Sequence, residues 1–369
     1  MPSVPTSSKF QRNDWECSPL TLRVPRWMPI RQVEMDDNLR IWRSFSIGSL
    51  FDLMMLDTRQ YDRSITDLYF NTDYVHAISD DAGRTMVSTL LDFDHAFVQD
   101  VLTLTGEKMG AAQEGWFYKS LSASASRGAA WRIIGSQTVF ARVNQSATYG
   151  NVNPYNYDAW DGYQANRNRT LHHLQQNNIG NNIVISGDSH ANWVSDLVAD
   201  YGDASSGLGV EFAGSAVSSP PPWGEQNTGD ANAESDWLNV ANPELQWNEQ
   251  FYRGYFELQI TREQVRAAFF GLPTITNRNP YEIPLANFTV QSGDNRLERP
   301  VGGGQAESGS LKDGKVVLEF MTNNTETGEW FVSAPVNMQV SWNASSSSNS
   351  SVVVNGEKGG FNGTNGTTA

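Results

Sequence analysis

Asp188 and His190 stand two residues apart in Gly187-Asp188-Ser189-His190, directly after the apolar run Ile183-Val184-Ile185-Ser186. Together they offer a carboxylate oxygen and an imidazole nitrogen. Residues two apart on an extended chain project to the same side, so both are expected to point into the crevice at the carboxyl end of a buried strand, with Ser189 facing away. Open α/β sheets place their ligands in that crevice. Such a pair suits a catalytic metal, or two neighbouring ions. The competing reading makes Asp188 a turn cap and His190 an ordinary polar residue at a strand end.

A second carboxylate, Asp57, follows the apolar run Leu53-Met54-Met55-Leu56, with Arg59 two residues on. It is a candidate metal ligand, or it orients Arg59 toward a phosphate oxygen, which the planar guanidinium fork matches well. A structural Asp–Arg pair closing the loop stands beside that reading. In Asp158-Ala159-Trp160-Asp161-Gly162-Tyr163 the structural explanation is stronger, with Asp161 capping the turn and the two aromatics packed beneath it. His172 and His173 are adjacent on an expected helix and point about 100° apart, and with His76 and His95 they are read as bystanders.

These groups need elements to hold them. Runs at 53–56, 131–134 and 183–186 read as buried strands, the latter two each preceded by a helix-forming segment, and 39–46 reads as strand-like. The best helix candidate spans 166–177, with Leu171 and Leu174 on one face and Asn178-Ile179-Gly180 as its stop. The fold class is therefore α/β. Further on, 210–214 reads as a strand, 255–260 and 265–270 as a hairpin, and 218–242 as a long surface loop. The segment 343–369, rich in Asn, Ser and Gly, is expected to be a disordered tail.

A net charge of -15, from 26 Lys+Arg against 41 Asp+Glu, is the wrong sign for a stable nucleic-acid partner. The one cysteine, Cys17, allows no internal disulfide and no thiolate zinc cluster. No run of about 18 apolar residues occurs, so no membrane span is expected, and residues 1–20 lack the apolar core of a signal peptide. Asn-X-Ser/Thr triplets point instead to a secretory history for the intact protein, with Asn144, Asn287, Asn323 and Asn343 as glycosylation candidates; Asn168, Asn349, Asn362 and Asn365 also fit the pattern.

Several blocks together resemble the PhoD-like alkaline phosphatases of the calcineurin-like metallophosphatase superfamily, in wording nearest the fungal branch. They include Leu56-Asp57-Thr58-Arg59-Gln60-Tyr61, Trp131-Arg132-Ile133-Ile134-Gly135, Tyr157-Asp158-Ala159-Trp160-Asp161-Gly162-Tyr163, Gly187-Asp188-Ser189-His190 and Arg253-Gly254-Tyr255-Phe256. The resemblance implies a partial four-layer α/β/β/α sandwich hydrolysing phosphomonoesters or phosphodiesters with iron and calcium. Its substrate would be a small phosphoester. It makes Asp188 and His190 the last metal ligands of the family, with Asp57 and Arg59 as further site residues.

The expected organisation is a non-family segment at 1–26, the C-terminal portion of the phosphatase domain at 27–342 and the tail. Residues 87–109 have no family counterpart and read as a non-native insertion. The earlier family motifs, which supply a thiolate, a bridging Asp, a Tyr and an Asp-Asp-His segment with an Asn, would precede Trp27, and the context of Cys17 does not match them. The chain by itself is thus expected to be an inactive, poorly soluble part of a secreted, metal-dependent phosphatase. The alternatives are a non-catalytic binding protein or a fragment without a function of its own, and a carbohydrate-binding surface built on the 12 Trp and 12 Tyr; core packing explains those aromatics better. The sequence leaves the oligomeric state open.

Overall fold

The computed structural model describes residues 40–59, 108–146, 158–217, 227–275, 281–302 and 308–312, with short pieces at 33, 155–156, 219–221, 321–323, 330–332 and 352–353. At its centre is an eight-stranded sheet. Strands β2 (Phe51–Met55), β3 (Trp131–Gly135), β4 (Asn182–Ser186) and β6 (Gly207–Ala213) run parallel. Their carboxyl ends therefore lie along one edge. Strand β1 (Arg43–Ile47) closes one side as an antiparallel hairpin with β2, and β5 (Asn192–Val198) returns antiparallel to β6. Beyond β5 lie β7 (Leu245–Glu249) and the two-residue β11 (Ser310–Leu311). The full order is β1-β2-β3-β4-β6-β5-β7-β11.

One face of this sheet packs on helices α1 (Gly110–Ser126) and α2 (Gln164–Gln176) through a cluster including Met54, Phe117, Leu121, Ile134, Trp160 and Leu171. Both helices stop where the sequence offers a residue tolerant of left-handed backbone. Gly128 has φ 75°, and the Ala129 amide behind it donates to Ser124 O; Asn178 has φ 50°, and the Ile179 amide donates to Leu174 O. The other face packs on a three-stranded antiparallel sheet of β8 (Gly254–Ile260), β9 (Gln264–Gly271) and β10 (Ile283–Gln291), with β9 in the middle. Trp131, Phe212 and Trp247 interdigitate there with Phe269 and Phe288. Ring centroids of Trp247 and Phe269 lie 5.1 Å apart with planes at 61°, a favourable edge contact. Three layers are thus present among the described residues: helices, the large sheet and the small sheet.

The runs at 131–134 and 183–186 are β3 and β4, and the expected hairpin is β8–β9. One loop expectation needs correcting. Within 218–242 the structure forms helix α3 (Thr228–Ala241), whose N-cap Asn227 accepts from the Asp230 amide at 3.0 Å. Its inward face is half polar, with Ser235 and Asn239 buried beside Ala231 and Leu238, so no apolar stripe announced it. Ser235 donates to Asn248 at 2.9 Å and Asn239 to Ser310 O at 2.7 Å.

A last sheet joins β12 (Met321–Asn323), β13 (Trp330–Val332) and β14 (Val352–Val353), so two residues of the expected tail are paired in a strand. Lys108 and Met109, the end of the stretch read as an insertion, are fully buried. The Lys108 Nζ donates to Asp158 O at 2.7 Å and lies 4.9 Å from the centre of the Tyr163 ring. Cys17, His76, His95, Asn343, all of 87–107 and most of the tail lie outside the described residues.

Candidate active site

The edge formed by the carboxyl ends of β2, β3 and β4 collects the groups singled out from the sequence. Leu56 continues β2 by donating to Gly135 O at 2.9 Å, and the chain then leaves the sheet through Asp57, Thr58 and Arg59. Two glutamines fix this exit. Gln113 of α1 pairs with the Asp57 backbone in both directions, its Oε1 accepting at 2.7 Å and its Nε2 donating at 2.8 Å. Gln137, just past β3, accepts from both the amide and the hydroxyl of Thr58 at 2.8 Å and donates to Leu56 O at 2.5 Å. Both amides replace the pairing that the sheet no longer supplies.

Arg59 is held out from this clamp. Its Nη1 donates to Asp158 Oδ2 at 2.8 Å and to Asp188 Oδ2 at 2.6 Å, so one nitrogen joins the approach to α2 with the loop after β4. All three side chains are partly open to solvent, with Asp188 the most exposed at 40%. Asp57 is 2% exposed, and its backbone, not its carboxylate, carries the bonds to Gln113.

The structure changes the reason that Asp188 and His190 share an edge. Strand β4 ends at Ser186, and Asp188 and His190 have φ of 71° and 60°, so the stretch is a left-handed turn rather than a continued strand. Alternation along an extended chain therefore does not orient them. Ser189 accepts from Trp193 Nε1 at 2.6 Å, which packs the turn down on β5. The His190 Nδ1 meets the carbonyl of Pro220 at 3.0 Å. Residue types made both candidates visible, but the turn positions them.

Behind the exposed groups lie acids that reading the sequence did not single out. Glu249, at the end of β7, is fully buried and accepts from the amides of Phe251 and Tyr252, from Ser308, and from Asn192 Nδ2 at 2.9 Å. Asn192 in turn accepts from the Ser215 amide at 2.9 Å. Glu211 on β6 is also fully buried; it takes the amides of Phe140 and Ala141 at 2.7 Å each and the Ser186 hydroxyl at 2.6 Å. Burial pushes both carboxyls above the ordinary glutamate value, while these donors pull them back.

Asp161 is not a simple turn cap. Its carboxylate accepts from the Val143 amide at 2.9 Å and from Arg167 at 2.5 Å in an ion pair only 3% exposed on each side, and Trp160 and Tyr163 pack as expected. His173 stacks on Tyr118 at 4.5 Å, far in role from the edge, and burial lowers its pKa. Asn144 spends its carboxamide oxygen on the Ser146 amide and hydroxyl, Asn168 is exposed on α2, and Asn287 is half-buried on β10.

No group of three or more His, Cys, Asp or Glu among the described residues could hold a metal ion. Asp188 and His190 are donors of suitable type, yet the Asp188 carboxylate is engaged by a guanidinium and Asp57 is not grouped with them. The described residues alone do not fit a complete metal site. No helix among them is long and apolar enough to cross a membrane.

Comparison with known proteins bears on this edge. A family model described as PhoD-like phosphatase matches residues 25–269. Alkaline phosphatase D of Bacillus subtilis (strain 168) is 29% identical over 275 residues, covering 74% of this chain and 41% of that protein. A solved structure of PhoD superposes with a TM-score of 0.56 at 26% identity, covering 79% of this chain and 49% of that one. The chain thus spans less than half the length of the relatives it matches.

Proposed function

We propose, from the premise that this chain belongs to the PhoD-like phosphatase family, that it serves a phosphoric ester hydrolase and that the carboxyl edge of its large sheet receives a small phosphoester. The observation that carries this reading is Arg59, fixed by Asp158 and Asp188 where the exits of β2 and β4 meet. Both ion pairs use Nη1, so among the described residues Nε and Nη2 keep donors for two phosphate oxygens. Asp158 and Asp188 act here as positioning residues. Charge on the bound oxygens grows as a phosphoryl group transfers, and a preset guanidinium stabilises it without reorganisation.

Metal dependence, with iron and calcium as the ions, belongs to the same proposal, and Asp188 and His190 are the donors this chain would contribute. The remaining ligands would come from residues outside those described, and turnover is assigned to the whole protein rather than to this portion. Secretion and glycosylation follow the same reading. Exposure favours Asn168 over the half-buried Asn144.

Inorganic phosphate titrated into the chain and followed by phosphorus NMR tests the site. Broadening that disappears in Arg59→Met supports it; equal broadening in both proteins counts against it. Hydrolysis of p-nitrophenyl phosphate by the chain, with and without added iron and calcium, tests the division of labour. Turnover without added metal would overturn the metal requirement. A second reading, a non-catalytic phosphate-binding protein, draws on the engagement of Asp188 by Arg59. Phosphate binding without hydrolysis in the full-length protein would favour it.

A further inference from the structure

The contact between His190 and Pro220 has a chemical direction. A carbonyl oxygen carries no proton, so at 3.0 Å the imidazole must supply it from Nδ1. In the neutral ring Nε2 then holds the lone pair. A solvated histidine side chain favours the opposite arrangement, with the proton on Nε2, so the protein has reversed the ordinary preference.

The reversal depends on where Pro220 O is held. Arg253 is 5% exposed and spends its fork on backbone carbonyls alone among its hydrogen bonds, with Nη1 donating to Ser219 O at 2.9 Å and Nη2 to Gln250 O at 2.7 Å. It thereby ties the residue before Pro220 to the exit of β7. The next residue along, Gly254, donates its amide to Ala216 O at 3.2 Å, and Ser215 donates its hydroxyl to Tyr252 O at 3.0 Å. Pro220 and Pro221 fix their own φ, which limits how far the Pro220 carbonyl can swing beyond the tie at Ser219. Desolvation lowers the Arg253 pKa while Glu249 acts in the other direction.

We propose that Arg253, acting through the 219–221 segment, is a positioning residue that locks His190 with Nδ1 protonated and Nε2 presenting a lone pair at the carboxyl edge. This deepens the reading of that edge as the phosphoester site. An imidazole fixed in this way presents Nε2 as an acceptor to a ligand at that edge without first turning its ring or changing tautomer. Lysine in place of Arg253 keeps one donor for Ser219 O but loses the second arm, whereas glutamine also removes the charge.

The test uses long-range proton–nitrogen NMR of the chain labelled at histidine, at a pH well above the ordinary imidazole value, with His190→Ala to assign the signal. The wild-type ring should show a protonated Nδ1 and an imine-type Nε2. Arg253→Gln should move the Nε2 signal toward the protonated type, and Arg253→Lys should restore most of the original position. A wild-type ring protonated on Nε2, or an unchanged spectrum in folded Arg253→Gln, overturns the proposal. If Arg253→Gln does not fold, Arg253→Met replaces it under the same criterion, and a wild-type ring protonated on Nε2 still overturns the proposal by itself. Tautomer state needs no turnover, so failure of the full-length protein to hydrolyse p-nitrophenyl phosphate would sink the phosphoester reading alone.

Discussion

Two sets of charges lie along the same edge of the sheet and are held in opposite ways. Arg59, Asp158 and Asp188 meet in partly open ion pairs, and water screens them. Glu249, Glu211 and the Arg167–Asp161 pair lie behind them with nearly every oxygen already bonded and almost no exposure. The difference separates tasks. The open charges stay near solvent, where a ligand can reach them, and the buried carboxylates hold backbone amides of the neighbouring loops.

The sharpest way to break this contrast is Arg167→Met, which leaves Asp161 charged and dry. Loss of one partner of a buried pair should cost about 3–5 kcal/mol, read as a fall in the urea midpoint. Next is Glu249→Gln, which turns an amide toward the Asn192 Nδ2 donor and should cost about 1–3 kcal/mol. If either variant melts like wild type, the buried set does not anchor the edge.

Acidity gives a further distinction. Burial raises the folded pKa of Glu211 and Glu249 above 4.5, so the folded state binds their protons more tightly than the unfolded chain does. Their contribution to stability is complete below 4.5 and is lost as pH rises through the raised folded values. Glu249→Gln should therefore flatten the decline of stability with rising pH in that window, as thermal melts across a pH series would show. The smallest effect belongs to the exposed set. Arg59→Met should change stability by no more than about 1 kcal/mol, because both of its ion pairs are partly solvated. A larger loss would make Arg59 an architectural residue and erase the contrast.

How much could be read from the sequence follows the same division. Parallel strands announce themselves as apolar runs, as those of β2 and β4 did, although β2 is buried only at alternate positions; this is why the sequence alone reads Asp57, Arg59, Asp188 and His190 near strand ends on one edge. Helix α2 was legible from Leu171 and Leu174 and from its Asn178 stop. Helix α3 was not, because Ser235 and Asn239 occupy inward positions where the pattern expects apolar groups. Asp158 could not be matched to Arg59, nor Asn192 to Glu249, since those pairs are 99 and 57 residues apart and only the fold brings them together. The orientation of Asp188 and His190 was argued from an extended chain and is instead set by left-handed backbone.

That turn carries a consequence for how the chain can change. For most side chains the left-handed region costs roughly 1–2 kcal/mol, and glycine is relieved of that cost. Asp188→Gly or His190→Gly would therefore suit the backbone better, while removing a side chain that the proposed site uses. A selection for thermal resistance alone should drift toward glycine at these two positions and away from chemistry. Retention of Asp and His under such a selection would show that folding, not function, holds them there.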